Sequence, residues 1–264
     1  MTTPRRKMIN DPDVLIEHLI EGMISAHPHL LSVEGDTGRA IVALNGPRDG
    51  KVGIVVGGGS GHEPAFAGYV GRGLADAAPL GNIFASPSPS QIMDAGFAAD
   101  GGAGVIFLYG NYTGDVMNFG MAAEGLAEHG ITARSFVVTD DIASAPAENA
   151  KDRRGIAGDF FVFKIAGAAA DLGHSMEEVE EAAARANEAT RTMGVALSPC
   201  TMPQTGVANF DLPVGEMEIG MGIHGEPGVE RGPAASADEV ADKLLAPILE
   251  ELALKRGDKV AVLV

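Results

Sequence analysis

A chain of 264 residues, 45% hydrophobic and 21% charged, has the size and composition of one large α/β domain or two smaller ones. Its formal net charge of −17 repels phosphate backbones and excludes a general nucleic-acid binder, although a loop of backbone amides can still hold a small anion. One cysteine, Cys200, permits no internal disulfide, Asn10-Asp11-Pro12-Asp13 interrupts any export signal, and no apolar run reaches membrane-spanning length, so a cytoplasmic protein with no nucleic-acid or membrane partner is expected.

Residues 13–26 carry Val14, Leu15, Ile16, Leu19, Ile20, Met23 and Ile24 at helical spacing and predict an amphipathic helix. Residues 51–56, 104–109 and 132–138 are short apolar runs bounded by glycine and predict buried strands. A helix over 115–129, ended by Gly130, is expected between the last two. Residues 159–172 predict a largely buried helix, and Ser175 with Glu178 has the spacing of a capping box that opens a helix reaching Met193. Extended segments follow at 195–197 and 216–223, then a helix over 236–256 capped by Ser236. Lys259 to Val264 has the composition of a core strand, which is unusual at a chain end and leads to the expectation of a truncated chain. Alternation of strands and helices predicts an α/β fold, a mixed or parallel sheet with helices on both faces, with a boundary near residue 194 that separates 1–194 from 195–264.

Ligands of such sheets sit beyond the carboxyl ends of the strands. Three glycine-rich loops lie in places of this kind. Residues 55–64, VVGGGSGHEP, bring His62 to the end of a glycine-rich turn that is neither a Walker loop nor a convincing dinucleotide fingerprint. Residues 109–115, YGNYTGD, place Asp115 at a helix start, where it can cap the helix, act as a base, or do both. Residues 220–228, GMGIHGEPG, flank His224 with small residues that leave room for a bound molecule. Each histidine also reads as an ordinary turn residue. His27, His29, His129 and His174 lack metal-ligand neighbours, Cys200 has no nearby histidine, and Glu177 to Glu181 reads as a solvated helix face, so no metal site is expected.

In this order and at these distances, the three loops resemble those of the K subunit, or K domain, of dihydroxyacetone kinases. Further likeness lies in Ile9-Asn10-Asp11-Pro12, Ala26-His27-Pro28, Ile83-Phe84-Ala85-Ser86-Pro87, Asn118-Phe119, Arg153-Arg154-Gly155 and Gly215-Glu216-Met217-Glu218, from about residue 8 to the end. The resemblance implies two α/β domains of that K fold, the second incomplete here. It implies a short ketose carried as a hemiaminal on His224, with Asp115 as the base for its terminal hydroxyl and His62 hydrogen-bonding the substrate and assisting proton transfer. Gly59, Ser60 and Gly61 are implied as backbone contacts to the ketose, with Ser86 beside them. No cofactor is implied for this chain: ATP or ADP with magnesium belongs to a helical L domain or subunit, the expected partner, without which no kinase activity is expected. A homodimer through the K part is likewise implied. Gly110 departs from the pattern, since the phosphotransferase-linked K subunits carry lysine there. The missing side chain leads to the expectation of extra room for a tetrulose such as erythrulose. A ketose-binding regulator on the same scaffold is the alternative outside the enzymes.

Overall fold

The computed structural model describes residues 7–264. A 3-10 turn over Pro12–Val14 leads into α1 (Leu15–Ala26), and a hairpin follows, made of β1 (Leu31–Glu34) and β2 (Ala40–Ala43). Next come β3 (Gly53–Val56), β4 (Gly58–Ser60), β5 (Ala77–Ile83), α2 (Pro89–Ala99) and β6 (Val105–Gly110). Then α3 (Thr113–Glu128), β7 (Ala133–Val138), α4 (Asp159–Asp171) and α5 (Met176–Glu188) complete the larger part. The remainder holds β8 (Val195–Ala196), β9 (Glu216–Ile219), β10 (Glu230–Pro233) and α6 (Ala237–Leu252).

The main sheet has seven strands in the order β1-β2-β5-β3-β6-β7, with β4 paired to β5. The β1, β2 and β5 pairings are antiparallel, and β5, β3, β6 and β7 run parallel. Because side chains alternate along a strand, the central strands feed two cores. Ile54, Val56, Ile106 and Leu108 face α1, α4 and α5, with Phe163 and Val179 at the centre. Val55, Val105, Phe107 and Tyr109 face α2 and α3, with Ile92, Phe119 and Leu126. Continuous apolar strands are the signature of a sheet covered on both sides, and the mixed α/β architecture read from the sequence is the one observed.

The helix expected to run to Met193 stops at Glu188, because Thr192 pairs with Asp141 and donates its backbone N–H to Asp140, which holds the chain extended. The glycine-rich turn after β3 is a strand, β4, paired with β5. Lys259 to Val264 is not a strand: it has no strand partner among the described residues, and all six residues are exposed.

β8, β9 and β10 form a separate antiparallel sheet. Arg153, 1% exposed, reaches from the loop before α4 to Glu251 on α6, with two N–H···O bonds of 2.7 and 2.8 Å, and Arg191 joins the same carboxylate. Removing Glu251 strands a buried guanidinium, which costs about 3 kcal/mol or more. Glu251→Ala should therefore lower the free energy of unfolding by that amount, read as a lower urea midpoint, and an unchanged midpoint would show that the contact carries no stability.

Candidate active site

The site lies at the carboxyl ends of β3, β6 and β7, where the small sheet delivers its own loop. Gly59 sits where a Cβ would come 2.5 Å from the amide nitrogen of Ala85, so only glycine lets β4 lie against the Phe84–Ala85 backbone. Gly61, at φ +100°, turns the chain into His62. Phe84 is itself in the left-handed region at φ 54°, a conformation that costs a bulky residue roughly 1–2 kcal/mol. Strain of this kind is kept where the surroundings use it. Here it lays the Phe84 ring against the His62 imidazole, 4.9 Å between centroids.

His62 Nε2 lies 3.1 Å from His224 Nε2. His224 follows β9 through Gly220, at φ +76°, and is clamped by Glu226. The Glu226 carboxylate accepts the His224 backbone N–H at 3.0 Å and lies 3.1 Å from Nδ1. Gly222 has no room for a side chain, since a Cβ would stand 2.2 Å from Glu226 Oε2 and 2.3 Å from Arg154 Nη1. Arg154 is fixed by Asp141 and by the carbonyl of Gly220. Burial pushes the Glu226 carboxyl up, but hydrogen bonds from the His224 ring and backbone amides outweigh it and hold it down to about 2. An ionised Glu226 accepts a hydrogen bond from Nδ1–H of His224, which leaves Nε2 with its lone pair. His62 then donates its own Nε2–H to that lone pair. Burial first, then the His224 ring, push His62 down to about 4, so it stays neutral at physiological pH.

Asp115 stands in the first turn of α3, 8% exposed, on a helix whose N-cap is Tyr112. It makes no capping bond. Burial pushes its carboxyl up to about 6, against the lowering influence of the Ser86 hydroxyl and His224. Tyr112 sets its ring edge-on to His224, 4.8 Å between centroids. Asp159, the first residue of α4, is 7% exposed and pushed well above the usual carboxylate range by burial and by Asp140 and Asp115. Among the described residues, three buried side-chain atoms have no hydrogen-bond partner: Tyr112 Oη, Asp115 Oδ1 and Asp159 Oδ1. Each such orphan costs about 1–3 kcal/mol.

The structure thus gathers His62, His224 and Asp115 from three separate loops, with Ser86 beside Asp115. The Ser60 hydroxyl is committed to the carbonyl of Gly81 at 2.7 Å, and the Gly61 N–H faces the Glu63 carboxylate at 3.1 Å. Gly110, expected to leave extra room, sits in close surroundings. A Cβ there would meet the Gly155 carbonyl at 3.0 Å, the Tyr112 ring at 3.1 Å and Asp159 Oδ2 at 3.3 Å, so the backbone at Gly110 is closely approached by its neighbours. Glu226, Tyr112, Phe84, Arg154 and Asp159 were not singled out from the sequence. For Glu226 there was a signal: a carboxylate two residues after the histidine can reach back to the ring.

The sequence pattern of the Dak1 domain matches residues 21–264, nearly the whole of this chain. The chain belongs to the Dak1 domain family. Proteins similar to it include kinases, kinase subunits and a kinase-operon co-activator. This Dak1 chain is 48% identical over 259 residues to the dihydroxyacetone-binding subunit of the PTS-dependent dihydroxyacetone kinase 2 of Listeria innocua, covering 98% of itself and 78% of that protein. It is 47% identical over 246 residues to the L-erythrulose kinase of Pectobacterium atrosepticum, covering 93% of itself and 41% of that longer protein. The crystal structure of the dihydroxyacetone kinase of C. freundii superposes with a TM-score of 0.85 at 38% identity, over 93% of this Dak1 chain and 45% of that one. A dihydroxyacetone kinase operon co-activator superposes with a TM-score of 0.81 at 32% identity, over 90% and 72% of the two chains. No helix among the described residues is long and apolar enough to cross a membrane.

Proposed function

We propose that this Dak1 chain is the ketose-carrying component of a kinase and holds a short ketose as a hemiaminal on His224 while a terminal hydroxyl is phosphorylated. The observation that carries this reading is the Glu226–His224–His62 alignment, which leaves a lone pair on Nε2 of one imidazole and presents an N–H from the other. Nε2 adds to the ketone carbon as the carbon–oxygen π bond opens. The oxygen takes a proton handed on from His62 and replaced from solvent. The imidazolium that results is paired with Glu226. Glycerol and dihydroxyacetone offer nearly the same hydroxyls, and hydrogen bonds separate such similar ligands poorly. Only a carbonyl compound forms the adduct, so covalency is the selection step. It also fixes the reacting hydroxyl in place.

Asp115 then takes the proton of that hydroxyl as it attacks phosphorus. A base must be ionised to act, and burial raises this one to about 6, so the rate of transfer should climb as pH rises through about 6. The phosphoryl group comes from a nucleotide with magnesium on a separate helical L domain or subunit. Pairing of two copies of this chain, a cytoplasmic setting and a division into units at residue 194 complete the proposal. The fold is shared with an operon co-activator, which supports a second reading as a ketose-binding regulator. The buried base at Asp115 favours the kinase role, since carriage alone has no use for it.

The test is the intact mass of the protein after incubation with dihydroxyacetone, erythrulose or glycerol. Either ketose should add its full mass once, and glycerol should add nothing. A parent mass that never changes would end the carrier reading. Glu226→Gln keeps the shape but loses the charge that holds the Nδ1 proton, a charge-assisted bond of about 1.5–3 kcal/mol. It should weaken adduct formation by about 10–100-fold at pH 7 with little change in melting temperature. Adduct formation equal to that of the parent would remove Glu226 from the mechanism.

A further inference from the structure

The unpartnered buried atoms described above all lie in one place, and they are more than the phosphoryl-transfer reaction requires. Asp115 Oδ1 is accounted for by the reacting hydroxyl. Tyr112 Oη and Asp159 Oδ1 are not. The Tyr112 ring stands against the His224 imidazole, and the spot where a Gly110 side chain would begin is 3.1 Å from that ring and 3.3 Å from Asp159 Oδ2. Among the described residues no cation pairs with Asp159. The nearby Arg154 is bound to Asp141, the Gly220 carbonyl and the edge of Glu226. Burial, with Asp140 and Asp115 nearby, favours the protonated form of this carboxyl. It is then a donor through O–H and an acceptor through its other oxygen, as a tyrosine hydroxyl is both at once.

We infer that Tyr112 and Asp159 form a subsite for the hydroxyls on the non-reacting arm of the bound ketose, and that the subsite selects a four-carbon ketose over a three-carbon one. The inference rests on the carrier reading above. With the carbonyl carbon on His224 and the adjoining terminal hydroxyl at Asp115, dihydroxyacetone has one hydroxyl left to offer. A tetrulose has two, on neighbouring carbons, and two orphaned groups await them. Polar complementarity, rather than empty space at Gly110, supplies the preference. A site built to hydrogen-bond a hydroxyl discriminates strongly against a ligand that lacks it, because its own buried groups are then left unpaired.

The test is competition between equimolar dihydroxyacetone and racemic erythrulose, read as the two adduct masses on the same protein. The parent should favour erythrulose by about tenfold or more. Tyr112→Phe removes one oxygen and Asp159→Leu removes the carboxyl; each should bring the ratio close to one, chiefly by weakening the erythrulose adduct. Asp159→Asn keeps a neutral donor and acceptor and should retain most of the preference. Equal adducts in the parent would overturn the subsite while leaving the carrier reading intact. Variants that weaken both adducts alike would overturn it too, by showing that the residues only support the fold. Should Asp159→Leu fail to fold, Tyr112→Phe decides the question. A parent that forms neither adduct rejects the carrier reading itself, and this inference with it.

Discussion

His224→Ala should lose the ketose adduct altogether, with no mass added by either ketose at any concentration and no phosphorylation in the presence of an active nucleotide-bearing partner. The effect is all or none because the bond has one nitrogen donor. Glu226 fixes the tautomer of His224 alone. The neighbouring imidazole of His62, pushed down to about 4, is a poorer nucleophile and faces His224 rather than a carboxylate partner. His62→Ala should leave a slower, weaker adduct, which separates the nucleophile from the proton donor. His224 is only partly buried and makes one side-chain contact to a carboxylate, so the alanine variant should fold, as a melting curve would confirm. An adduct that survives in His224→Ala would place the covalent residue elsewhere.

Asp115→Asn should show the opposite division: adduct retained, phosphoryl transfer lowered by about 10²–10⁴, the usual contribution of a positioned base. The same substitution has a second consequence in stability. In the unfolded chain the carboxyl loses its proton near its ordinary value of 3.8, whereas the folded protein holds that proton up to about 6. Stability is therefore lost as pH rises between those two values, and the penalty is complete above the higher one. Linkage sets it at about 2–3 kcal/mol at most. Asp115→Asn escapes the penalty, so it should melt higher than the parent at pH 8 and almost equally at pH 4. For a chain of this size each kcal/mol is about 2–4 °C. A variant that loses transfer and also loses stability at pH 8 would show that the carboxylate is structural rather than a strained catalytic group.

The central strands, α1, α3 and α4 were legible because their apolar residues repeat at a clear period and glycine bounds them. β5 was not, since Pro79 and Gly81 interrupt it. Gly81 is needed there because a Cβ would stand 2.0 Å from the carbonyl of Ala85, where the Phe84 loop folds back. α2 carries its signal, Ser88 and Gln91 in a capping box with Pro89 at the first turn, but the serines and prolines around it give the same composition as a loop. At the site, the three loops could be named because glycine next to a histidine or an aspartate is visible in one dimension. Asp159 could not, because its meaning depends on lying beside Gly110 and Asp115, residues far away in sequence. Ser60 and Gly61 show the reverse limit: their positions were legible, but the bonds that occupy them were not.

The contact between His62 and His224 sets the terms on which a guest enters. On the carrier reading proposed above, the attacking lone pair of His224 is engaged by the His62 N–H 3.1 Å away. A ketone must displace that bond before it can react, and the displaced N–H then serves the new oxygen. Arrival is thus an exchange of partners rather than a pure gain, and departure is the same exchange in reverse. On the same reading, the bond given up between the two imidazoles offsets part of the adduct's gain, which should favour release of a phosphorylated cargo.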